Sequence, residues 1–358
     1  MSFAQSPFNP VDNIILSQFA YLPLDGIVPG PDEHDRITVS RAAEIFAEKR
    51  QNNPEIEQAI IFKEDPALIR AMGLSRRFGD CRLFGYINLI DIEREVQFAA
   101  VCVDTGDDSC CIVYRGTDLT LIGWKEDFNM SFSEVVPAQI EAMQYLEKMA
   151  HKTKGALRVC GHSKGGNLAI YAASQCGKKI QRRITDIYSN DSPGFHDKVV
   201  ASDGFAQIKD RIHSFIPQES VVGLLLEHGN DHHVIKSVQA GLRQHELHSW
   251  EVTYNDMVRL DSLTQSSLFV NKTLREWIGE LDNAHREQFF EALYTVLSAS
   301  QAKSIPELGS LWFRNAGLML KTIGNIDDST RELIRKTLAA LISSARRNID
   351  TLLKPAEK

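Results

Sequence analysis

The chain has 358 residues, 43% hydrophobic and 24% charged, with a formal net charge of -7 at pH 7. That length supports one large α/β domain with a smaller addition. The acidic balance, with no Lys/Arg stripe interleaved with aromatics, excludes a nucleic-acid binder.

The first ten residues lack the basic start and apolar core of a secretory signal, and no segment reaches membrane-spanning length, so the expectation is a cytoplasmic protein. Residues 12–24 read as an apolar helix ended by Pro23 and the Gly26/Pro29/Gly30/Pro31 cluster. Helical periodicity resumes over 38–49, and 82–88 changes to β-like runs. Strands at 96–103 and 110–114 flank the turn Thr105-Gly-Asp-Asp108, which makes a hairpin. A helix is expected over 139–151, then strands at 156–160, 183–188 and 211–216, the last ending at Pro217. Strand and helix alternate here, the signature of a mostly parallel sheet with helices on both faces. Such a sheet carries its chemistry at the C-terminal ends of the strands.

The six cysteines show no C-x-x-C pairs and read as buried small hydrophobes in a reducing compartment. From residue 262 the texture changes to amphipathic helices at 274–281, 286–298, 308–323 and 330–353, with a capping box offered by Ser329-Thr-Arg-Glu332. The division read from sequence is therefore a sheet domain over 1–261, with a helical lead-in, and a helical appendage over 262–358.

One motif concentrates the chemistry. Gly161-His-Ser-Lys-Gly-Gly166 lies between the apolar strand 156–160 and a small-residue helix, the arrangement of a nucleophile elbow. Gly161 and Gly165 keep Cβ atoms out of the strand-helix approach, and Ser163 projects from the turn as a nucleophile. The amide of Lys164 is aimed at a developing oxyanion by the helix that follows. A second oxyanion donor belongs on the loop after an early strand. In Tyr114-Arg-Gly-Thr-Asp118 the glycine permits close approach, and Thr117 offers an N–H and a hydroxyl. Trp124 and Asp127 are expected to brace that loop, and Arg115 to pair with Asp118 or Asp127.

These runs resemble the class 3 lipase group of α/β hydrolases. More closely, Gly-His-Ser-Lys-Gly-Gly-Asn-Leu-Ala169, Asn-Asp-Ser-Pro-Gly-Phe195, Ile-Pro-Gln-Glu-Ser-Val-Val-Gly223 and Gln-His-Glu-Leu-His-Ser-Trp250 resemble the Mbeg1-like family, over roughly residues 13–250. The resemblance implies an α/β-hydrolase fold and a serine hydrolase related to lipases. Two departures stand out: Lys164 where common lipases have an apolar residue, which points to a polar or anionic substrate portion, and Ser192 where the related pattern has Gly.

A serine nucleophile needs a histidine to take its proton and a carboxylate to orient that histidine. His245 matches the histidine of the family-like motif, with His248 as its rival. Among the carboxylates, Glu219 follows the later strand and is favoured by topology, with Asp191 after the preceding strand as its rival. His228, His232 and His233 lie in a polar loop without regular metal-ligand spacing. The segment 221–226 reads as a core helix or an acyl-pocket lining. The sequence thus calls for a serine esterase acting on a small-molecule ester or acyl substrate through an acyl-enzyme, with no cofactor, no metal and no indicated membrane surface. A thioesterase or peptidase on the same site, or a non-catalytic relative that binds a ligand or protein partner, are the alternatives.

Overall fold

The computed structural model describes residues 1–118, 120–229, 231–298 and 327–349. Nine strands form one sheet in chain order: β1 (Ile37–Thr38), β2 (Arg82–Asp91), β3 (Val96–Asp104), β4 (Ser109–Tyr114), β5 (Ala156–His162), β6 (Ile184–Asn190), β7 (Ile212–Pro217), β8 (His232–Ile235) and β9 (Arg259–Leu260). β4 to β8 pair in parallel, while β3 meets β4 antiparallel as the predicted hairpin. This is an α/β-hydrolase fold with a mostly parallel centre.

Sequential strand order has a consequence for the layers. Each right-handed crossover between β4 and β7 deposits its helix on the same face of the sheet, which leaves the other face to the N-terminal helices. Alternation along β4 follows this division. Cys111 and Val113 join a core with Leu16 and Phe19 of the helix Pro10–Phe19 and with Phe46 of the helix Val39–Asn52. Tyr114 points the other way and donates from its hydroxyl to the carbonyl of Ala142, in the helix Pro137–Lys152, at 2.8 Å. Every residue of β4 is buried, as a strand covered on both faces must be. All six cysteines are free and buried, and Cys111 and Cys160 approach to 3.3 Å across β4 and β5.

Helix boundaries follow capping chemistry more closely than apolar runs. The first helix starts at Pro10 because Asn9 and Asp12 form a capping box, and it ends at Phe19 rather than Leu24. Thr38, not Ser40, caps the second. The helices Pro54–Ala59 and Asp65–Leu74, which apolar periodicity passed over, both carry proline in the first turn. The loop expected around His232 and His233 is the strand β8, half-exposed and therefore polar in composition.

Two compact units divide the chain. One contains Met1–Ile90, Phe98–Gly116 and Ala138–Ser262 and holds nearly all of the sheet. The other takes Asp91–Gln97, Thr117–Pro137 and the described part of Leu263–Lys358, so segments within the range read as the sheet domain belong to it. In this second unit Phe128 stacks on Phe290 at 4.7 Å, Trp277 donates to the Thr337 carbonyl at 2.8 Å, and Lys125 bridges Glu95 and Glu291. Its last described helix is Asp328–Asn348, capped by Asp327 instead of the predicted box at Ser329. The predicted helix 308–323, and the end of the predicted helix 330–353 from residue 350 onward, lie outside the described residues.

At the C-terminal end of β6 the sheet is tied to the first helix by a buried polar cluster. Asn13 and Asn190 exchange side-chain hydrogen bonds at 2.8 and 3.0 Å, and the Asn190 amide also donates to Ser17 Oγ and to the Gly161 carbonyl. Asn190→Ala leaves these buried partners unsatisfied, so it is expected to cost about 2–4 kcal/mol. Urea denaturation with an unchanged m-value measures that loss.

Candidate active site

β4, β5 and β6 end level with one another, since Tyr114 pairs with Gly161 and His162 with Asn190. Gly116, Ser163 and Asp191 lie just beyond these three ends and are thereby gathered at one edge. Ser163 takes φ 56 and ψ -133, a conformation that costs a non-glycine residue about 1–3 kcal/mol and marks it for a functional reading. The surroundings hold it there: its N–H donates to the Asn190 carbonyl at 2.9 Å and its carbonyl accepts from Gly166 at 3.0 Å. The helix Lys164–Gln175 starts at the next residue and directs its N-terminal dipole at the serine.

The glycines on either side are required by contact. A Cβ on Gly161 would lie 2.3 Å from the Gly165 backbone, and one on Gly165 would lie 2.2 Å from the Tyr114 carbonyl oxygen. Gly116 packs equally close, since its Cβ would stand 2.6 Å from the His162 carbonyl and 3.1 Å from Ser163 Cβ. The turn after β4 therefore lies directly against the serine, where an oxyanion loop belongs.

His245 closes a 3-10 turn, Gly241–His245, and its Nδ1 meets Asp191 Oδ2 at 2.6 Å. Asp191 is 1% exposed, with φ 46, and its other oxygen accepts from Ser220 Oγ and from the Gly223 amide at 3.0 Å. Three donors thus share the carboxylate, which is what a buried anion requires. Neither Ser163 Oγ nor His245 Nε2 has a hydrogen-bond partner among the described residues.

Glu219, the carboxylate favoured from sequence, does not reach His245. Its Oε2 accepts from the Gly241 amide and from Gln244 Nε2, while its own N–H donates to Gln244 Oε1. It therefore caps the turn that carries His245; both carboxylates follow parallel strands, and Asp191 is the one that lies within hydrogen-bonding distance of that histidine. His248 instead meets Asp65 Oδ1 at 2.9 Å, with Gln18 donating to the same oxygen at 2.8 Å. Burial pushes the Asp65 carboxyl up from its ordinary range, and Asp65 Oδ2 and Gln18 Oε1 are buried without partners among the described residues.

Lys164 is 1% exposed, so its side chain lies in the protein interior, contrary to the expectation that it meets substrate. Thr117 Oγ1 donates to Asp127 at 2.6 Å, which leaves its sequence-based role to its amide alone. Asp127 thus braces the loop as expected, while the side chain of Trp124 lies outside the described residues. Arg115 Nη2 donates to Asn88 at 3.0 Å. Ser192 is buried and donates to the Asn190 carbonyl. The segment 221–226 is no core helix: it forms the 3-10 turn Val222–Leu224, whose Gly223 amide serves Asp191. Burial lowers the pKa of His232 and of His233, and among the described residues no three potential metal ligands cluster.

One residue of the elbow carried no assignment from sequence. His162 is 1% exposed, with Nε2 2.7 Å from the His245 carbonyl oxygen and Nδ1 2.9 Å from the Tyr21 hydroxyl. Its ring lies 4.4 Å from that of His245. Desolvation first, and then the neighbouring His245, hold it well below the usual histidine range. Its position between Gly161 and Ser163 was the available signal; nothing in the sequence marks Tyr21.

The Mbeg1-like family model matches residues 72–295, more than half of the chain and some way into the helical region beyond residue 250. The chain belongs to the Mbeg1-like family. No curated protein sequence matches it. Among solved structures, M37 lipase is similar at 14% identity and TM-score 0.34, over 60% of this chain and 69% of that one. A triacylglycerol lipase from Penicillium expansum is similar at 13% identity and TM-score 0.30, over 49% and 73%. No described helix of this Mbeg1-like protein is long and apolar enough to cross a membrane.

Gly165→Ala forces a methyl group against the Tyr114 carbonyl, and overpacking of this kind costs about 1–3 kcal/mol. A lowered thermal midpoint, set against an unaltered one for Ser163→Ala, is the expected result of calorimetry.

Proposed function

We propose that this protein is a serine hydrolase that cleaves a carboxylic ester through an acyl-enzyme, with Ser163, His245 and Asp191 as its triad. The observation that carries this reading is the 2.6 Å pairing of His245 Nδ1 with a buried carboxylate, next to a serine held at positive φ. Asp191 accepts the Nδ1 proton, which leaves Nε2 as the base.

In the proposed reaction Ser163 Oγ attacks the ester carbonyl carbon and its proton passes to His245 Nε2. The imidazolium that forms is stabilised by Asp191, and the oxyanion faces the N-terminus of the helix beginning at Lys164. Collapse of the tetrahedral species breaks the carbon–oxygen bond to the alcohol, which leaves with the proton from His245. Water then repeats the sequence on the acyl-enzyme, so that acid and free Ser163 are the products. With Lys164 buried, its cation gives no basis for an anionic substrate, and a neutral ester is the simpler assignment.

A fluorophosphonate probe is expected to label the wild type and not Ser163→Ala, with hydrolysis of p-nitrophenyl esters lost in parallel. An unlabelled wild type would overturn the reading. The choice of acid is tested separately: Asp191→Asn is expected to lower kcat by roughly 10³–10⁴-fold by removing the partner that sets the histidine tautomer. Glu219→Gln retains a group able to accept from Gly241 and is expected to stay within roughly tenfold of wild type. The reverse ranking would restore Glu219.

A further inference from the structure

We infer that His162 is a neutral positioning residue whose Nε2–H fixes the backbone of His245, and so aligns the His245–Asp191 pair with Ser163. The inference rests on the hydrolase reading above and deepens it.

The proton positions follow from chemistry. A carbonyl oxygen only accepts, so the 2.7 Å contact with His245 O makes His162 Nε2 a donor. In a neutral imidazole Nδ1 is then an acceptor, and the Tyr21 hydroxyl at 2.9 Å must donate to it. The elbow thus grips the histidine loop directly, and Tyr21 selects the tautomer able to do so. Tyr21 is itself placed by the same corner, since its hydroxyl lies 2.2 Å from where a Cβ on Gly116 would be.

Neutrality also matters to the reaction. His245 becomes an imidazolium when it takes the serine proton, and its ring is 4.4 Å from that of His162. A charged His162 would oppose that step across a desolvated gap. Among the described residues, the groups bonded to His162 are the Tyr21 hydroxyl, just beyond the first helix, and the carbonyl of His245 in its 3-10 turn, and His245 in turn holds Asp191. The only carboxylate among these is already bound to His245. Burial, with no carboxylate bonded to it among the described residues, therefore keeps His162 neutral.

The test uses the full chain with His162→Leu, His162→Gln and Tyr21→Phe, and kcat and KM are normalised to active sites titrated with fluorophosphonate. His162→Leu is expected to lower kcat by roughly tenfold or more with KM little changed, since misalignment affects the transition state and not binding. His162→Gln, whose amide can donate from the Nε2 position, should recover most of that loss. Tyr21→Phe removes the donor that occupies Nδ1, so His162 gains a proton more readily and the acid limb of kcat moves to higher pH. A role confined to stability would lower the active fraction and leave the normalised kcat and its pH profile unmoved.

Nitrogen-15 NMR of the imidazoles supplies readouts that need no activity. His162 is expected to remain the neutral Nε2–H tautomer through the pH range in which a free histidine titrates, near 6.5. The downfield His245 Nδ1–H signal should shift or broaden in His162→Leu. An inert wild type with these NMR signatures intact would defeat the hydrolase reading while upholding the alignment. A His162 that titrates near 6.5, or a His162→Leu protein with unchanged normalised kcat and an unchanged His245 signal, would overturn the inference itself.

Discussion

Two consecutive residues at the end of β6 bring the site together, because each must satisfy buried groups from several elements at once. Asn190 accepts the Ser163 amide on its backbone and spends its side chain on Gly161, Asn13 and Ser17, locking the elbow strand to the first helix. Asp191 then leaves the strand at positive φ, and its carboxylate takes His245, Ser220 and Gly223. Displacement of this corner would strand a charge and several amides out of water, so the surrounding loops are held to it by the cost of leaving buried polar groups unpaired.

The loop that carries His245 has little apolar packing of its own and is fixed mostly by polar contacts. Glu219 and Gln244 bind its first turn, the Trp250 indole donates to the Gln244 carbonyl, and His162 holds the carbonyl of His245. Trp250 and Leu247 provide what core contact there is. This division explains why a carboxylate that resembles a catalytic acid is placed beside the histidine loop without touching the histidine: a 3-10 turn needs an acceptor for its leading amides, and Glu219 is that acceptor.

Two histidine–aspartate pairs have histidines three residues apart, His245 and His248, and their surroundings set them apart. Asp191 distributes three donors over both oxygens. Asp65 receives Gln18 and His248 on one oxygen while the other is buried without a donor among the described residues, and burial raises its pKa. The first carboxylate thus has a hydrogen-bond donor on each oxygen, whereas the second has donors on one oxygen alone. Position relative to the elbow reinforces the contrast, because only His245 lies against His162.

The sequence by itself determined the alternating sheet, the hairpin before it, the elbow at Ser163 and the need for Gly161, Gly165 and Gly116. Each of these is written in local periodicity or in the steric demands of a few adjacent residues. It also narrowed the candidate histidines to the 245–248 segment and the candidate acids to two residues. Only the tertiary structure shows that Asp191, and not Glu219, meets His245, since that depends on which carboxylate the strand ends and a distant 3-10 turn bring within hydrogen-bonding distance. The same holds for Lys164, whose charge is visible in the sequence but whose burial is not, and for Tyr21, whose hydroxyl acquires its role across 141 residues of chain. Hydrogen bonds between segments far apart in sequence leave no periodicity to read. Their partners are fixed only when the sheet closes and the cost of unpaired buried groups selects one arrangement.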